Sequence, residues 1–147
     1  MLVVTTVGVR DGALFGNRAR MPGSSPGAAV ESDWSVGSPL LLTATGADGP
    51  LAEGEVLEVD PPRRLVQSFT ALWGDDVKSE GASRVTWEIE PVEDSCRLVV
   101  THDELREGAN DQLYGGWPMI LSGLKTLLET GELLTTPGSL RYSQTFA

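Results

Sequence analysis

Basic residues are scarce in this chain. Lys and Arg number 11 against 21 Asp and Glu in 147 residues, a formal net charge of −10. That charge repels phosphate backbones and anionic headgroups, so nucleic acid and membrane surfaces are excluded as natural partners. Cysteine is scarcer still. The single Cys96 cannot close an internal disulfide, and one histidine among scattered carboxylates gives no transition-metal ligand set, so neither metal nor cofactor is expected. Long apolar runs are missing as well: Leu2 to Val9 is interrupted by Thr5, Thr6 and Gly8 with no basic residue ahead of it, which fits neither a signal peptide nor a membrane span. No phosphate cradle and no Ser-His-Asp order is present. The expectation is a soluble, cytoplasmic, single-domain protein, with 40% apolar residues to form a core.

What is present is strongly patterned after residue 30. Residues 10 to 29 hold Gly12, Gly16, Pro22, Gly23, Pro26 and Gly27 with few apolar positions, and predict an irregular segment. Beyond it, runs at Leu40–Ala44, Gly54–Val59, Leu65–Ala71, Ser83–Glu90 and Cys96–Leu105 are divided by turn clusters such as Asp60-Pro61-Pro62. Spacing this close leaves no room for crossover helices, so an antiparallel meander is predicted. Val85, Trp87 and Ile89 alternate with Arg84, Thr86 and Glu88, which sends the first set inward; on the neighbouring strand Cys96, Leu98, Val100 and His102 share one face, of which Leu98 and Val100 with Cys96 are assigned inward. After Leu105 the period changes. Trp117, Ile120, Leu121, Leu124, Leu127 and Leu128 recur at steps of three and four, predicting one helix from about Asn110 to Thr130 with Gly131 as its C-terminal stop. Pro118 would then lie inside the helix and bend it. The tail, residues 135 to 147, is polar and expected to be frayed.

Three stretches carry a family signature: Val30-Glu31-Ser32-Asp33-Trp34-Ser35-Val36-Gly37-Ser38, Gly54-Glu55-Val56-Leu57-Glu58-Val59-Asp60-Pro61-Pro62-Arg63-Arg64-Leu65, and Gly116-Trp117-Pro118 leading to Leu124-Lys125-Thr126-Leu127-Leu128-Glu129-Thr130-Gly131. Together they resemble bacterial homologues of the activator of heat shock protein ATPase, within the START-like (SRPBCC) superfamily. The resemblance implies an α+β helix-grip fold of the Bet v allergen type, a curved antiparallel sheet wrapped on a long C-terminal helix with space between them for an apolar ligand. It also implies a chaperone as a protein partner. Residues 10 to 29 depart from the pattern, where members carry a helical segment like Thr-Pro-Glu-x-x-Trp-x-Ala-Leu-Thr-Asp-Pro. Read from the third base of each codon, Asp11 through Arg18 permit Trp-x-Ala-Leu-Arg-Glu-Pro, so a shifted reading frame between about Val7 and Ala29 would account for the departure. Sequencing the gene region tests it.

The candidate ligand-binding residues are Trp87, His102, Tyr114, Trp117, Leu121 and Leu124. The plain alternative is that they are ordinary core, because aromatic residues at helical spacing most often serve packing. His102 is either a polar group in an apolar cavity, working as acid, base or anchor, or a strand-end histidine satisfied by backbone, Asp103 or Glu104. No catalytic residue is assigned. Asp75-Asp76, Glu80, Asp103, Glu104 and Glu107 read as solvated faces, and Cys96 as a small core residue. Two functions remain open: a non-catalytic module that binds a small apolar molecule, with a chaperone- or stress-related role, and a cyclase- or hydrolase-like enzyme working in the same cavity.

Overall fold

The computed structural model describes residues 2–7, 21–22, 28–44 and 47–135, with side chains from residue 30 onward. Its strands are β1 Leu2–Val7, β2 Met21–Pro22, β3 Ala28–Glu31, β4 Pro39–Ala44, β5 Ala52–Asp60, β6 Arg64–Ala71, β7 Ser83–Val92 and β8 Ser95–Asp103. A short helix α1, Asp75–Lys78, joins β6 to β7; a 3-10 turn at Asp111–Leu113 precedes the helix α2, Trp117–Thr130. All neighbouring strands pair antiparallel in one sheet of order β1-β8-β7-β6-β5-β4-β3-β2. The meander is as predicted. The sheet is curved, and the helix-grip fold is present.

Alternation determines the two faces. Val85, Trp87 and Ile89 are buried, as are Cys96, Leu98, Val100 and His102 on the paired strand. They join Leu40, Val56 and Leu65, and the α2 residues Trp117, Leu121 and Leu124, in one cluster on the concave face. A second, smaller cluster of Ala71, Val77 and Leu113 lies toward α1. Tyr114 packs against both.

The ladder is interrupted in β5. The register with β6 shifts between Val56 and Glu58, a bulge that puts Leu57 outside. Close by, Gly54 lies so near β6 that an added Cβ would stand 2.0 Å from the Ser68 carbonyl oxygen. Only glycine fits a backbone approach of that kind. Gly54→Ala is accordingly expected to cost about 1–3 kcal/mol in urea unfolding, as overpacking does; an unchanged midpoint would show that the sheet yields there freely.

Two expectations about the helix are corrected. It begins at Trp117, not near Asn110, and Pro118 occupies its first turn, where a missing N–H removes no helical hydrogen bond. Pro118 therefore starts α2 and does not bend it. Asn110 does act as a cap, but of the 3-10 turn: its Oδ1 accepts from the Gln112 N–H at 3.1 Å. Gly131 closes the helix at φ 75°, as read from the sequence, and Lys125 pairs with Glu129 on the outer side. The predicted final strand also ends earlier, at Asp103 instead of Leu105. Of residues 10 to 29, Met21–Pro22 and the first two residues of β3 are in strands; the remainder of that segment, and the tail beyond residue 135, lie outside the described residues.

Candidate functional site

All six candidate residues come together where α2 crosses the concave face. Trp87, His102, Trp117, Leu121 and Leu124 are buried, and Tyr114 is half-buried beside them. The Trp87 and Trp117 rings meet edge to face with centroids 5.5 Å apart and planes at 80°. His102 stands edge-on to Trp117 at 5.9 Å and to Phe69 at 5.6 Å.

His102 is only 1% exposed, and its two ring nitrogens are both engaged. The Trp117 indole N–H donates to Nδ1 at 3.0 Å, and Nε2 lies 2.7 Å from the Ser83 hydroxyl. An indole can only donate, so Nδ1 must be the unprotonated nitrogen and Nε2 must carry the hydrogen. The relay then runs one way: Trp117 to His102, His102 to Ser83, and Ser83 to the Phe69 carbonyl at 3.2 Å. Burial penalises the imidazolium and lowers the pKa of His102 to about 4, with the Asp103 charge opposing the shift. Neither Asp103 nor Glu104 satisfies the ring. Strand alternation turns Asp103 to the opposite face, where it receives Arg84 Nε at 2.9 Å and Nη2 at 2.8 Å, and Glu104 receives the same guanidinium at 3.0 Å.

The polarity of this relay has a chemical consequence. A serine nucleophile needs an imidazole whose Nε2 lone pair accepts the hydroxyl proton while an acceptor holds Nδ1–H. Here Trp117 supplies a donor at Nδ1, so the close Ser83–His102 pair has the wrong tautomer for general-base work.

Three polar features of the site were not singled out from sequence. Ser83 and Gln67 each share strand parity with buried neighbours, Ser83 with Val85 and Gln67 with Leu65; that parity was the available signal. Gln67 is half-buried on the concave face between Val56 and Val85. Trp34, in the β3–β4 connection, packs against the main cluster from a left-handed backbone, φ 57°. Ser32 Oγ accepts from its N–H at 3.1 Å. The indole N–H groups of Trp34 and Trp87 are buried without a hydrogen-bond partner among the described residues.

Glu80 also departs from its reading as a solvated carboxylate. Its side chain is 6% exposed and accepts from Arg106 and from the Asn110 N–H at 3.0 Å, contacts that hold its pKa below the usual carboxylate value. This clasp ties the end of α1 to the segment that leads into α2. On the outer face a shallow groove is lined by Glu58, Arg64, Arg84, Glu88 and Asp103, with both guanidinium groups engaged by carboxylates. No helix of the described residues is long and apolar enough to cross a membrane.

Residues 25–129 match the family described as Activator of Hsp90 ATPase homolog 1-like protein. The chain belongs to that family. Among curated proteins no sequence matches it. Solved structures share its fold at low identity. CalU16 from Micromonospora echinospora is 20% identical with a TM-score of 0.69, over 97% of this chain and 80% of that one. An Hsp90 activator from Plasmodium falciparum is 21% identical at 0.69, over 87% and 94%. The Aha1 dimer from Colwellia psychrerythraea is 16% identical at 0.65, over 90% and 97%. At these identities the likeness establishes the fold.

Proposed function

We propose that this Activator of Hsp90 ATPase homolog 1-like chain is one non-catalytic START-like domain of the cytoplasm, that it holds a small apolar molecule between sheet and α2, and that its protein partner is a chaperone of the Hsp90 class. The observation that carries the non-catalytic part is the Trp117–His102–Ser83 relay, which commits the single histidine as a neutral structural group. The enzymatic alternative loses its best acid-base candidate to that relay. For the ligand, support comes from the concave face, where Trp87, Trp117, Leu121 and Leu124 converge with half-buried Tyr114 and Gln67 at the margin. A bend at Pro118 gives no support, since Pro118 starts the helix. For the partner, support comes from family membership alone.

Titration with an apolar fluorescent probe, following tryptophan emission, tests the ligand reading. A saturable response is expected, and Leu121→Trp, which puts a larger side chain beneath α2, should abolish it. No saturable response in either protein would reduce the concave face to ordinary core. Stimulation of an Hsp90 ATPase by the purified chain tests the partner, and an unchanged rate would remove it.

A further inference from the structure

We propose that the molecule held against the concave face carries a neutral hydrogen-bond acceptor, a ketone- or ester-type carbonyl, and that the Trp87 indole N–H is the donor that meets it. This rests on the reading that an apolar ligand enters between the sheet and α2. Three indoles belong to or pack on the main cluster: Trp34, Trp87 and Trp117. Trp117 has its acceptor in His102. Trp87, 6% exposed, and half-buried Trp34 bury their N–H groups with no partner among the described residues. Leaving such a donor unpaired costs about 1–3 kcal/mol, which an acceptor on a ligand would relieve and a hydrocarbon would not.

The rest of the cluster narrows the chemistry. The polar groups beside it are few: buried His102 is a neutral ring with both nitrogens committed, and the half-buried side chains of Gln67 and Tyr114 carry no cationic group. A carboxylate would thus be buried without a counter-charge, in a protein already at −10. A ligand that only donates would leave the Trp87 N–H unpaired, because an indole offers no lone pair and needs an acceptor. An uncharged carbonyl compound suits both requirements. The ring contact with Trp117 holds the Trp87 plane, so its N–H direction is set before any ligand arrives.

Fluorene and fluorenone, alike in shape and differing by the carbonyl, provide the test. Each is titrated into indole-15N-labelled protein, whose four tryptophans give four assignable N–H signals. Fluorenone should shift the Trp87 signal saturably. Its affinity relative to fluorene should be about tenfold higher in the native protein than in Trp87→Phe, the worth of one hydrogen bond. Equal relative affinities, or a Trp87 signal unmoved by bound fluorenone, would overturn this inference and leave the apolar-ligand reading standing. Binding of neither compound would overturn both. If Trp87→Phe does not fold, the native Trp87 signal still decides.

Discussion

Truncating Leu121 to alanine is expected to lower the unfolding free energy by about 2–5 kcal/mol, while Leu57→Ala shifts it by less than about 0.5 kcal/mol. Both lose the same atoms, but Leu121 is 2% exposed and Leu57 is 44% exposed. The geometry of α2 makes the first loss severe. A fourteen-residue helix is marginal alone, and this one has no side-chain N-cap, so it is held by the apolar face it buries. Trp117, Leu121 and Leu124 are its large buried anchors, with Ile120 and Leu128 half-buried at their sides. Removing the central anchor leaves a void between Trp117 and Leu124 that the curved sheet cannot collapse to fill. Urea unfolding followed by tryptophan emission measures both variants; similar midpoints for the two would mean that α2 is not fixed through this face.

The second large effect is on pH. His102 titrates near 4 when folded and near 6.5 when unfolded, so between those values the unfolded chain binds a proton that the folded chain refuses. The stability this contributes is whole above pH 6.5 and lost as the pH falls toward 4, about 3 kcal/mol in all and about 2 kcal/mol of it by pH 5. The chain has one histidine, so the part of this interval above about pH 5 reports mainly on that side chain. Glu80 and Asp103, whose pKa values are lowered by Arg106 and Arg84, lose their contributions further down, below about pH 4.5. Unfolding free energies at pH 7, 6 and 5 should therefore fall in native protein and stay nearly level in His102→Phe. A variant as acid-sensitive as the native chain would show that His102 is not the group being protonated. Burial is the main structural reason, and the relay is consistent with it: an imidazolium has two donors, and Trp117 offers Nδ1 a third.

How far the sequence discloses the molecule depends on which physical rule governs each part. Period-two alternation around Trp87 and Val100 is enforced by burial of one face only, so the strands and their inward sides were readable. The same held for α2, whose apolar spacing and Gly131 stop survive in the structure. Its start was misplaced because Asn110 is a good cap for any turn, and the chain uses it for a 3-10 turn before Pro118 opens the helix proper. The site was legible as a set of residues and opaque as chemistry. Nothing in the string of letters says that the partners of His102 come from residue 83 on β7 and residue 117 on α2, while the adjacent Asp103 turns away. Glu80 likewise looked solvated because its partner Arg106 lies 26 residues along the chain.

The pairing of β1 with β8 bears on the order in which the chain can assemble. Leu2 stands opposite Thr101 and Val7 opposite Cys96, so the first strand finds its neighbour only after some hundred residues exist. During synthesis from the N-terminus, Leu-Val-Val-Thr-Thr-Val waits as an unpaired β-prone segment while the hairpins from β3 to β8 close locally. The backbone of α2 lies beside β1, so the helix docks onto an edge completed last. Closure of that edge is thus the most non-local strand pairing in the sheet. Anything that covers the waiting strand, or slows arrival of β8, acts on how much chain reaches the folded state.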